Sequence, residues 1–136
     1  DEKSVFKHKA IDFVKVLKQD ESEDHDVKWA NEYKAFARSP FTHTIKLESD
    51  MLWNDRTDWW WYHLWQHDLI FSVHCRNYKD EIIKDSPYRH IFKRNKLPDI
   101  YNGLMYFRKS KYAQKFFEMA EKITKNFFIY APVNNF

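Results

Sequence analysis

The sequence predicts an α/β domain built around a mixed β-sheet, and three observations lead there. Short runs rich in β-branched and aromatic residues, THTIKL, DLIFSVH and IYNGLMYF, alternate with stretches of helical period. One of those stretches, SKYAQKFFEMAEKITKNFF (110–128), carries an apolar stripe wide enough to cover a sheet face. No repeat or linker interrupts the alternation, and 136 residues suffice for a single domain with one core. Strands and helices in alternation argue for α/β layering.

Taken in order, residues 4–18 (SVFKHKAIDFVKVLK) place Phe6, Ala10, Phe13, Val14 and Leu17 on one helical face behind Ser4 as N-cap. QDESEDHD (19–26) is an acidic, solvated loop. VKWANEYKAFARS (27–39) predicts a second helix with Trp29, Tyr33, Phe36 and Ala37 inward, ended by Pro40. THTIKL (42–47) is the first strand. Asn54-Asp55-Arg56-Thr57 reads as a turn, with Thr57 or Asp58 capping the short aromatic helix DWWWYHLWQ. DLIFSVH (68–74) is a second, largely buried strand, and 76–87 is mostly loop ahead of a helical turn in YRHIFKRN. Pro98 and Asp99 lead into the third strand, 100–107. Ser110 then caps the last helix, whose stripe is Tyr112, Ala113, Phe116, Phe117, Ala120 and Ile123. Ile45, Leu47, Leu104, Tyr106, Phe116 and Phe117 are the expected core.

Composition bounds the function. Hydrophobic residues at 43% and charged ones at 32% form a globular balance. Aromatics reach 19%, enough for a dense core and also for a sticky surface, so self-association into a homo-oligomer is expected. With a single glycine, most turns must use Asn, Asp, Ser or Pro, and Gly103 is expected where only glycine fits. A net charge of +3 with interspersed signs lacks the concentrated basic face of a nucleic-acid binder. The lone Cys75 excludes an internal disulfide and points to a reducing, cytoplasmic setting. Apolar runs are only a few residues long, so no membrane span is expected. The chain opens on Asp1 without an initiator Met and reads as a piece of a longer protein.

The candidate chemistry centres on Glu48-Ser49-Asp50, just past the first strand. Ligands of open α/β sheets bind beyond the carboxyl ends of strands. Acidic residues spaced i, i+2 across a bend can direct oxygens at one divalent ion, and Mg²⁺ or Mn²⁺ so held completes its shell with substrate phosphates. The bland alternative is a pair of solvated loop charges, or Asp50 as a cap. His63 and His67 stand four apart, with Asp68 and His74-Cys75 beyond. Such a pair can bind zinc on a helix, but no HExxH signature is present. Three adjacent tryptophans, Trp59-Trp60-Trp61, cannot share one helical face; with Trp65 they divide between core and rim, and the rim can stack on sugars. Cys75 has no nucleophilic partner in sight and reads as an inert thiol.

Two stretches carry a family resemblance. SPFTHTIKLESDMLW resembles the core of GT-A-type nucleotide-sugar glycosyltransferases, in which a helix leads into a strand ending in an Asp-x-Asp motif, here Glu48-Ser49-Asp50. NKLPDIYNGLMYFRKSKYAQKFF is similar to that family's later strand and helix, with Asn102-Gly103 at its head. The block from Trp61 to Ser72 is similar as well, so the resemblance covers roughly residues 29 to 128. It implies a three-layer GT-A-like fold, truncated at both ends. It also implies metal-dependent transfer of a sugar from a nucleotide-sugar donor to an acceptor, with Mn²⁺ or Mg²⁺ as cofactor. Carried over, Asp50 is the metal ligand and Glu48 the ribose or second metal contact, while Asn102 and Gly103 lie near donor or acceptor. Glu48 departs from the usual Asp. Inverting transfer needs a general base, and Asp99 is the acidic residue nearest the site strand. The alternatives are a non-catalytic carbohydrate- or protein-binding module that keeps the fold, and a metal-stabilised module centred on the histidines.

Overall fold

Three successive residues, Met105, Tyr106 and Phe107, are buried on one strand. Neighbouring side chains on a strand point to opposite faces, so this strand must be covered on both. The computed structural model describes residues 9, 11–15, 31–49, 51, 55–74, 76–77, 79–82, 92–98 and 100–126. Within them the chain forms α1 (Lys34–Arg38), β1 (His43–Leu47), α2 (Trp60–Leu64), β2 (Leu69–Val73), β3 (Ile100–Arg108) and α3 (Lys111–Lys125), with a helical turn at 92–94. It is a small α/β fold. The sheet has the order β1-β3-β2, and both pairings are antiparallel.

The antiparallel pairing corrects the expectation of a mixed sheet. β3 runs against both neighbours, with Ile45 and Ile70 each opposite Tyr106. On one face Met105 and Phe107 pack with Phe117 of α3 and with Tyr33, Ala35 and Phe36 around α1. The rings of Phe36, Phe107 and Phe117 lie within 5.1 to 5.6 Å of one another, centroid to centroid. On the other face Trp61 of α2 meets Tyr106 edge-on at 6.3 Å. Trp60 and Leu64 close a small apolar crevice of about 90 Å³ with Ile45, Ile70 and Leu104. The buried Tyr106 hydroxyl is satisfied by His43 Nδ1 at 2.7 Å, and burial pushes its pKa up.

Several local expectations hold. Ser110 caps α3 by accepting the Ala113 N–H at 3.2 Å, and Ala113 and Phe117 form its buried stripe. The tryptophans divide as expected, Trp60 and Trp61 half-buried, Trp59 and Trp65 exposed. Others are corrected. Residues 11–15 are exposed and irregular, not helical. The remainder of 4–18, and Trp29, lie outside the described residues. α2 begins with Trp59 in the N-cap position rather than Thr57 or Asp58, and the Trp60 N–H bonds the Thr57 carbonyl at 2.9 Å. Leu47 is 42% exposed because β1 lies at the side of the sheet, and Phe116 is 40% exposed because it flanks the stripe. Tyr112, Ile123 and Ala37 also face solvent. Among the described residues no helix is long and apolar enough to cross a membrane.

At the far end of the sheet Arg108 Nε and Nη2 both donate to Asp68 Oδ1, at 3.1 and 2.6 Å, while the Arg108 N–H bonds the Asp68 carbonyl at 2.9 Å. The guanidinium first, and then a hydrogen bond from Ser110, hold the Asp68 carboxyl below its ordinary value. The unfolded chain therefore protonates Asp68 first as pH falls. Its contribution to stability is complete above about pH 3.9 and is lost as pH drops through the lowered folded value. Urea titrations of wild type and Asp68→Asn should show a constant gap at neutral pH that narrows on acidification below about pH 4. A gap that widens there would contradict the pairing. Phe107→Ala removes a fully buried ring and should cost about 3–5 kcal/mol in the same assay.

Candidate active site

The expected site lies where β1 and β3 part from the core. Pairing continues one residue past Leu47↔Leu104, with the Glu48 N–H donating to the Gly103 carbonyl at 3.1 Å. On the other side the ladder breaks. Phe71 pairs with Met105, but the next residue, Ser72, pairs with Tyr101, so 102–104 bulge out of the β2 pairing. The Ser72 hydroxyl reaches the carbonyls of Leu104 at 2.8 Å and Tyr101 at 3.2 Å, serving acceptors at the break. Asn102 and Gly103 thus belong to β1 rather than to β2 at this point.

At Gly103 a larger residue would displace the Tyr101 side chain, and the reason is space rather than backbone angle. Its φ is not positive. A Cβ built on it would come within 2.3 Å of the Tyr101 ring and hydroxyl. The ring lies over the glycine and reaches across to β1, where its hydroxyl donates to Glu48 Oε2 at 2.6 Å. Lys46, two residues before Glu48, forms an ion pair with Glu32 and donates to the Asn102 carbonyl at 3.0 Å. Asn102 Nδ2 in turn donates to Glu32 Oε2 at 3.2 Å. Glu32, Lys46, Glu48, Tyr101, Asn102 and Gly103 form one polar group at this end of the sheet.

The structure therefore brings together Glu48, Asn102 and Gly103. Asp50 and Asp99, the expected metal ligand and general base, lie outside the described residues. Among the described residues no group of three His, Cys, Asp or Glu is placed to hold a metal, and that includes His63 and His67. Hard-oxygen donors such as Glu48 suit Mg²⁺ or Mn²⁺, which need few protein carboxylates when phosphates complete the shell. Sequence reasoning missed Tyr101, Glu32 and Lys46. Two signals were present: Tyr101 and Gly103 stand i, i+2 on a strand, as do Lys46 and Glu48, so each pair starts on one face.

Comparison with known protein families, with curated proteins and with solved structures returns no match to this chain. Gly103→Ala should destabilise the chain by about 1–3 kcal/mol, since the added methyl must displace the Tyr101 ring. In the Tyr101→Ala background the same change should cost clearly less, and equal costs in urea unfolding would remove the ring as the cause.

Proposed function

We propose that the chain carries the donor-binding part of a metal-dependent, GT-A-type glycosyltransferase. It would move a sugar from a nucleotide-sugar donor to an acceptor in a reducing, cytoplasmic setting. The observation behind this reading is the Glu48 N–H to Gly103 carbonyl bond at 3.1 Å. It makes neighbours of two stretches, fifty-odd residues apart, that each resemble the family's donor site. Helices on both faces of the sheet are compatible with its three-layer fold.

In this reading Asp50 is the metal ligand and Glu48 contacts the ribose or the same metal. Asn102 and Gly103 border the donor or acceptor, and Asp99 is the general base if transfer inverts. A bound Mn²⁺ or Mg²⁺ offsets charge on the departing diphosphate. The chain's own part is to hold the Glu48 carboxylate at the end of a paired strand, where the sheet fixes the backbone. Metal alone should bind weakly, since one or two carboxylates leave most of the shell to water and phosphate. Donor and acceptor are the partners, with self-association through β1 and β2, each of which pairs on one side only among the described residues.

A second reading has its own observation. Trp59, Tyr62 and Trp65 are 59%, 74% and 55% exposed and recur every third residue along α2, an aromatic ridge suited to sugar faces. Calorimetry separates the two. Wild type should bind UDP or GDP only with Mn²⁺, and Asp50→Asn should weaken that binding at least tenfold with little change in melting temperature. Absence of metal-dependent binding by wild type would remove the transferase reading. Oligosaccharide binding indifferent to EDTA would favour the aromatic ridge, and an unfolded Asp50→Asn would make that residue a structural cap.

A further inference from the structure

We propose that the outer flank of α3 docks an acid-flanked amphipathic helix of a partner protein, laid beside α3 and over β2. The inference is independent of the transferase reading. Its first ground is an apolar stripe. Tyr112, Phe116, Met119 and Ile123 are all exposed. Spaced four, three and four residues apart, they share one face of α3, the pattern by which one helix packs along another. The row one position after them is the buried seam, with Ala113 and Phe117 turned to the core. Gln114, Glu121 and Lys125 line the groove between α1 and α3, roughly half a turn round from the stripe. The stripe therefore faces away from α1. It meets β2 instead, where the Phe116 and Phe71 rings are 5.3 Å apart. Phe71 is only half-buried, and Val73, two residues on, is exposed, so apolar surface continues from helix to sheet.

The second ground is charge, and it selects the occupant. The row one position before the stripe is Lys111, Lys115, Glu118 and Lys122. Its one acid is engaged elsewhere, since Glu118 accepts from Gln114 at 2.7 Å and borders the α1 groove. Glu121 is held by Lys125 at 2.8 Å. Lys111, Lys115 and Lys122 have no ion-pair partner among the described residues. Ammonium groups along one side of an apolar seam call for carboxylates on whatever covers it. A second copy does not supply them. Two α3 helices packed antiparallel through the stripe would set lysine row against lysine row. The chain's own exposed segment offers Ile11, Phe13 and Val14, but Lys9 and Lys15 outweigh Asp12 and give it the same sign. From Tyr112 to Ile123 the stripe runs about 16 Å, the length of about three helical turns.

The test uses two designed peptides of about 20 residues, a length at which helix can form. Both carry leucine at the seam positions; one has glutamate on its flanks and the other lysine. Fluorescence anisotropy should show saturable binding of the glutamate peptide, about tenfold tighter than the lysine peptide, with the gap narrowing as salt rises. Met119→Glu combined with Ile123→Glu should weaken that binding about tenfold. Both side chains are exposed, so the melting temperature should stay within a few degrees of wild type. Lys115→Glu combined with Lys122→Glu keeps the seam and should reverse the preference toward the lysine peptide. If the first variant melts lower, the second decides. No saturable binding of the glutamate peptide, equal affinity for the two peptides, or a preference unchanged by the lysine substitutions would overturn the proposal. A dimer in sedimentation that Met119→Glu with Ile123→Glu dissociates would assign the stripe to a second copy instead. Co-sedimentation with phosphatidylserine vesicles, lost in that variant and without binding of the glutamate peptide, would assign it to a membrane surface.

Discussion

The structure depends on the burial of Met105, Tyr106 and Phe107 one after another on β3. An antiparallel sheet can leave one face to water, but a central strand with successive buried residues cannot. This constraint requires α2 on the Tyr106 face and α1 with α3 on the Phe107 face. It also fixes register, since a slip of one residue would exchange a phenol for a phenyl ring. The two faces are chemically unequal. Phe107 sits among Phe36 and Phe117 and needs no polar partner, whereas the Tyr106 hydroxyl needs one and finds His43.

Along β3 the surroundings change from core to site. At Met105–Phe107 the strand is paired on both sides, while at 102–104 the bulge frees it from β2 and leaves only β1. Bulges re-aim side chains and increase local twist. Here the break coincides with the polar group around Glu48, so the rigid half of β3 anchors a half able to present its residues differently. The Ser72 hydroxyl keeps the arrangement from leaving carbonyls unserved.

What was legible in the sequence follows from how local each signal is. α3 was readable because its cap, Ser110, and its stripe, Ala113 and Phe117, are set within one element. The three strands were readable from their β-branched and aromatic runs, but their direction was not, since apolar spacing is the same read either way along a strand. Leu47 and Phe116 belong to apolar patterns, yet their burial depends on where the sheet and the helix end, which composition does not encode. Residues 11–15 show the reverse error, helical spacing in a stretch that is exposed and irregular. For the site, one glycine in 136 residues announced a constraint. The group that imposes it stands two residues away and acts through a ring that reaches across to Glu48 on the neighbouring strand.

The same geometry accounts for a glutamate rather than a shorter acid at position 48. Glu48 lies across from Gly103, and Tyr101 is its diagonal neighbour on the facing strand. Diagonal positions across an antiparallel pair are roughly 7–8 Å apart, within reach of long side chains and of rings but not of short ones. The tyrosine spans part of that gap by lying over the glycine, and the extra methylene of glutamate spans the rest. An aspartate would hold its carboxylate nearer its own strand and short of the phenol. Glycine, tyrosine and glutamate are therefore one unit: the missing Cβ admits the ring, the ring reaches the neighbouring strand, and the longer acid meets it there.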